Sequence, residues 1–256
     1  MRMWHVIGSQ DVCSGFFVTQ RFVTQASQSS WDRRAELDVF LATPSAQSAC
    51  GMEDFMKVVD MHCDTIAALY ENKEKGWTLQ DNRLHIRLDK MKQGDYLLQN
   101  FALFVCIENC EDPYQQALTL ADCFDRQMAM FPEQIGQVRC YNDILENQKN
   151  GRMSALLTIE EGAVCQGSLE KLREFYDRGV RMLTLTWNFP NEIGFPNFAI
   201  SGDGKPDRTV PNTKDGLTEF GFLFLEEMER LGMIVDVSHL SDAGFYDVAS
   251  HAQRPL

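Results

Sequence analysis

Short, almost continuously apolar runs alternate with amphipathic ones from Met56 to the end of the chain. VVDMH (58–62), FALFVCI (101–107), SALLTIE (154–160), VRMLTLT (180–186) and MIVDVSH (233–239) have the length and uniform character of parallel strands covered on both faces. Between them, ALTLADCFDRQMAMF (117–131) and SLEKLREFYDRG (168–179) place apolar residues at three- and four-residue steps, which predicts helices with one buried face. The second opens on Ser168 as its N-cap, carries Glu170 in its first turn and stops at Gly179. LTEFGFLFLEEMERLG (217–232), opened by Thr218 and closed by Gly232, and DAGFYDVASHA (242–252) predict two more. This alternation implies an α/β fold with a parallel sheet, either a barrel or a doubly wound layer.

Two stretches break the pattern. Residues 188–216 are rich in Gly, Pro and Asn and predict one long loop, a length usually reserved for function. Residues 1–55 contain no lysine and show no sustained periodicity. They are expected to be a disordered extension or a mis-called start, with the domain occupying 56–256. Five strands have passed by residue 239, whereas a closed barrel has eight, and the last helix is followed only by QRPL. The sequence therefore predicts the N-terminal part of a barrel, interrupted before its next strand.

Composition removes some functions. A net charge of −13 argues against a nucleic-acid partner, because phosphate binding rests on clustered Lys and Arg. No run approaches the roughly 18 apolar residues of a membrane span, and the first residues lack a signal-peptide core. Several of the 8 cysteines lie inside apolar runs, and Cys106 reads as a small buried hydrophobe. A reducing, cytoplasmic setting follows.

The chemistry sits at strand ends. His62 and Asp64 flank one residue at the end of the first strand, and residues two apart point to one side. Imidazole nitrogen and carboxylate oxygen are both zinc ligands. Alone, this pair fits a capping His and Asp at a turn equally well. Glu160 and Glu161 stand where the third strand meets Gly162, and His239 ends the fifth. The local alternatives are a solvated loop start for one glutamate and a helix-capping histidine. If the strands share a sheet, all of these converge at its carboxyl edge, where barrel enzymes keep their active sites. A glutamate such as Glu160 can bridge two cations, which suits a two-metal site that activates water.

The motifs VVDMHCDT, ALLTIEEGAV, LEKLREFYDRGVRMLTLTWN, GLTEFG and LGMIVDVSHLS, in that order over residues 57–256, resemble the membrane (renal) dipeptidase family, peptidase family M19, and its bacterial members. The resemblance implies a (β/α)8 TIM-type barrel of the metal-dependent hydrolases, with about five of its eight strands present here. It implies a zinc-dependent dipeptidase with two Zn2+ in the complete site. His62 and Asp64 would hold one zinc, Glu160 would bridge as the catalytic residue, and His239 would hold the second. A water or hydroxide between the metals would attack the scissile carbonyl, leaving no role for serines or cysteines. Trp187 stands in LTLTWN where animal members have a substrate-contacting histidine, so Trp187 and Asn188 are candidate pocket residues. Tryptophan offers an apolar wall and one N–H donor but no cation, and simple packing is its alternative role. The family's S-H-S ligand, its substrate-binding arginine and its late aspartate have no counterpart, and neither His251 nor Arg254 matches them.

Two other readings compete. Another amidohydrolase-like barrel would share the strand-end ligands but usually carries H-x-H on its first strand. A non-catalytic partial product would expose two sheet edges. Expected partners are dipeptide substrates, with no nucleic acid and no membrane, and a homodimer is one assembly open to the chain.

Overall fold

In the computed structural model, which describes residues 57–256, the five apolar runs lie side by side in one parallel sheet. The predicted extension at 1–55 lies outside the described residues. In chain order the elements are β1 (Val58–Asp60), α1 (Thr65–Glu71), α2 (Leu88–Gln93), β2 (Tyr96–Phe104), α3 (Pro113–Met130), β3 (Ile135–Val138), α4 (Tyr141–Lys149), β4 (Met153–Glu160), α5 (Leu169–Arg178), β5 (Val180–Thr184), β6 (Phe198–Ile200), β7 (Pro206–Pro211), α6 (Glu219–Leu231), β8 (Ile234–Asp236) and α7 (Asp242–His251). The sheet runs β1-β2-β4-β5-β8, the open part of a β/α barrel. β3 pairs beside it, from Ile135↔Met153 to Val138↔Leu156, while β5 takes the rest of β4 from Leu157↔Val180 to Glu160↔Thr184. One edge of β4 is thus divided between two strands.

Side-chain alternation separates the faces. Phe101, Leu103, Leu157, Ile159 and Leu183 are fully buried in one core with Phe124 of α3, Phe175 of α5 and Phe224 of α6. Each such side chain contributes roughly 1.5–3 kcal/mol of burial, so this helix-facing layer holds the sheet. The opposite parity places Phe104, Glu160, Thr184 and Asp236 in one row, through the pairs Phe104↔Glu160, Glu160↔Thr184 and Thr184↔Asp236. On the outer strands, Val59 and Met61 beside β1 and Ile234 of β8 remain exposed.

The helix ends follow the predicted chemistry. The Ser168 side chain accepts from the Lys171 N–H at 3.4 Å, and that of Thr218 accepts from the Gly221 N–H at 2.9 Å. Both helices end on a left-handed glycine, Gly179 (φ 105°) and Gly232 (φ 79°), a conformation glycine adopts without strain. Three boundaries differ from expectation. α3 begins earlier, at Pro113, behind an Asp112 cap. β2 begins at Tyr96 rather than 101, because buried Gln99 and Asn100 interrupt the apolar run without ending the strand. The long 188–216 segment is not bare loop, since β6 and β7 form an antiparallel hairpin within it.

Candidate metal centre

The carboxyl ends of β1, β4 and β8 bring four predicted residues together. His62 follows β1 by two residues. Asp64 occupies the N-cap position of α1 but makes no capping hydrogen bond there. Its Oδ1 instead lies 3.3 Å from His62 Nε2, so the capping alternative does not hold for it. Glu160, the last residue of β4, is 6% exposed. Its Oε2 lies 3.1 Å from His62 Nε2, and its Oε1 lies 3.4 Å from His239 Nε2. One carboxylate therefore turns each oxygen to a different imidazole. Ligand atoms of His62, Asp64 and Glu160 lie within 4.8 Å of one another, and His239 joins through the second Glu160 oxygen.

The turn carrying His239 is built with care for its direction. His239 has φ 65°, an uncommon left-handed conformation for a non-glycine residue. Asp236 organises the approach: its Oδ1 accepts from the Ser238 N–H at 2.9 Å and Oγ at 2.7 Å, while Oδ2 accepts from Thr184 Oγ1 at 2.6 Å. Beyond the turn, the Asn197 N–H donates to the His239 carbonyl at 2.7 Å. The long segment after β5 thereby fixes one histidine of the cluster.

Electrostatics bind the group as a unit. Burial works against the Glu160 charge, but hydrogen bonds from His239 and then His62 hold its carboxyl down at about 2. Hydrogen bonding to Asp64 and Glu160 pushes His62 up to about 10. Two carboxylates and two imidazoles here turn their donor atoms toward one another. The donor set fits a divalent metal, whose binding displaces the protons that otherwise neutralise the cluster.

Glu161 departs from the solvated loop start expected for one of the pair. It is fully buried, with φ 97°. Its Oε1 accepts from the Ala163 N–H at 3.0 Å and Asn191 Nδ2 at 2.7 Å, and its Oε2 accepts from the Trp187 N–H at 3.3 Å. Burial raises its pKa above the ordinary carboxylate value. Next to it, a Cβ on Gly162 would come within 2.5 Å of Leu185 O, so only glycine fits that approach. Neither Glu161 nor Asn191 was marked as an organiser by any pattern except the doubled acid before Gly162.

Trp187 stands beside the cluster. Its ring lies 6.2 Å from that of His239 and meets Phe104 edge-on at 4.9 Å. With buried Asn188 it lines a cavity of about 210 Å³, completed by Cys106, Glu108, Phe189, Lys205, Pro206 and Arg208. Cys106 is accordingly half-buried at a cavity wall and not a core hydrophobe. His251 packs its ring on Phe222 at 4.6 Å, and the Arg254 N–H donates to Glu229, outside the cluster.

Comparison with known proteins follows the same lines. The family model for membrane dipeptidase (peptidase family M19) matches residues 47–256. Uncharacterized dipeptidase C965.12 of Schizosaccharomyces pombe is 32% identical over 183 residues, covering 67% of this chain and 42% of that protein. Dipeptidase 3 of Mus musculus is 30% identical over 215 residues, covering 82% of this chain and 41% of that protein. The chain thus spans about two fifths of the length of these curated relatives. The crystal structure of the dipeptidase AC, a metallo peptidase of family M19, superposes with a TM-score of 0.65 at 25% identity over 77% of this chain and 60% of its own. A metallo peptidase from Rhodobacter sphaeroides, liganded with a phosphinate mimic of the dipeptide L-Ala-D-Ala, gives 0.67 at 24% over 79% and 64%. These likenesses identify the sheet as part of a TIM-type barrel. Among the described residues, no helix is long and apolar enough to cross a membrane.

Proposed function

Because the chain belongs to the membrane dipeptidase family, peptidase family M19, we propose that its strand-end cluster is the centre of a zinc-dependent dipeptidase. One observation carries the reading: the two oxygens of Glu160 face His62 and His239 separately, at 3.1 and 3.4 Å. Such a posture would suit a bridging carboxylate, and His62 with Asp64 would hold one zinc while His239 would hold the other. Bound there, zinc ions would polarise the scissile carbonyl and lower the pKa of water towards neutrality.

The chain's own residues would do the rest. Glu160, ionised down to about 2, offers both oxygens throughout the physiological range. Asp64, free of any capping duty, would offer a second carboxylate on the His62 side. Trp187 and Phe104 wall one flank and keep bulk water off it, while Asn188 supplies a donor and an acceptor for the peptide main chain. In hydrolysis the water oxygen bonds to the carbonyl carbon, the C–N bond breaks, and a proton passes to the leaving amine. No side-chain nucleophile is required. Both relatives are named as dipeptidases, which supports the substrate class. Six free thiols among the described residues support a reducing compartment, and we place the protein in the cytoplasm.

Metal content per chain by mass spectrometry, after dialysis against limiting zinc, tests the assignment. Wild type should retain zinc, and Glu160→Ala should lose most of it while remaining folded. A folded wild-type chain that retains none overturns the reading.

A further inference from the structure

The cavity beside the cluster has a charge pattern that peptide-bond hydrolysis alone does not call for. Lys205 and Arg208 line it, and neither side chain has an ion pair or hydrogen-bond partner among the described residues. The hairpin's own acids do not line the cavity: Asp203 accepts from Ser201 and from the Lys205 backbone N–H at 3.3 Å, and Asp207 accepts from Thr209 Oγ1 at 2.6 Å. Of the lining residues only Glu108 is acidic, which leaves the cavity with a net positive charge. Pairing within the hairpin sets this up, because Pro206 and Arg208 are two apart on β7 and share a face.

Position and size add to the pattern. Trp187 is a wall common to the cavity and the cluster, its ring 6.2 Å from His239. The shared wall places the cavity next to the cluster, on the flank that Trp187 forms. At about 210 Å³ it is smaller than the roughly 300–1,000 Å³ of sites for whole drug-sized ligands, and so suits one side chain. Trp187 and Phe189 provide apolar surface for a methylene stem, and the two cations suit a carboxylate at its tip.

We propose that this cavity is a specificity subsite for an acidic side chain of the dipeptide, recognised by Lys205 and Arg208. The inference rests on the dipeptidase reading and adds to it a preference for Asp- or Glu-containing dipeptides. Aminomethylene analogues of Ala-Glu, Ala-Gln, Glu-Ala and Gln-Ala, whose reduced bond resists hydrolysis, are the probes. Calorimetric titration of the zinc-loaded chain at low salt should show Glu binding about five- to ten-fold tighter than Gln at one of the two positions. That ratio should fall to near one in K205Q/R208Q and persist in the charge-preserving K205R/R208K, which also controls for folding. Glu108→Gln should widen it. A wild-type ratio near one at both positions, or a ratio unchanged in K205Q/R208Q, overturns the subsite. Hydrolysis of unmodified Ala-Gln separates the two claims: turnover without acidic preference defeats the subsite alone. Neither turnover nor binding of any of these peptides defeats the dipeptidase reading, and the subsite with it.

Discussion

Two nearly buried glutamates, one at the strand ends and one between helices, reach the same ionisation by different means. Glu227 of α6 sits between Arg173 of α5 and Arg230, with contacts of 2.6 Å to each. Its carboxyl is held down at about 2, first by the hydrogen bonds from Arg230 and, against some burial, by Arg173. Glu160 is also held at about 2, yet its contacts are longer and its neighbours are histidines. A guanidinium never gives up its charge in a protein and has no lone pair for a metal, whereas an imidazole can trade its proton for a bound cation. The helix pair is closed by cations that stay, and the strand-end cluster by cations that can be exchanged for a metal. The permanence of the counter-cation separates a structural clamp from a binding site.

Making the two places alike should have the largest effect. His62→Arg would give Glu160 a permanent partner, and zinc affinity should fall by at least about 10³-fold by competition titration while the fold persists. Retained affinity would break the comparison. Glu160→Gln keeps the shape and removes the charge, and dipeptide hydrolysis should drop by at least about 10²-fold in a steady-state assay. Glu161→Ala leaves three inward-facing N–H donors without an acceptor, for which about 1–3 kcal/mol of lost stability is expected in urea unfolding. Glu227→Ala should cost less, about 0.5–1 kcal/mol by the same method, because both arginine side chains are substantially solvated. The sign with pH is fixed: the Glu227 carboxyl lies below its ordinary 4.5 in the folded state. Its contribution is therefore complete above about 4.5 and is lost as pH falls to about 2. In Glu227→Ala, the acid side of the stability curve should be flatter over that window.

Legibility in the sequence tracked how far one residue type served one purpose. The five main strands were visible because their runs are apolar, even at β1 and β8, where Val59 and Ile234 stay exposed. β3, IGQV, escaped because it pairs with only part of β4 and Gly136 and Gln137 interrupt its four-residue run. The β6–β7 hairpin escaped because FAI and PDRTVP are too short and proline-bearing to show alternation. His62, Asp64, Glu160 and His239 were legible because each ligand-type side chain coincides with the end of an apolar run. Nothing local distinguished Glu160 from Glu161. Only the φ of 97° at Glu161, set by its bonds to the 187–191 segment, turns one acid into the cluster and the other under the loop.

The division of β4 between β3 and β5 bears on how Glu160 is held. With β2 along its other side, β4 is the most thoroughly bonded strand among the described residues, and Glu160 ends it. The carboxylate that turns one oxygen to each imidazole is therefore anchored from both sides, as a keystone is between two piers.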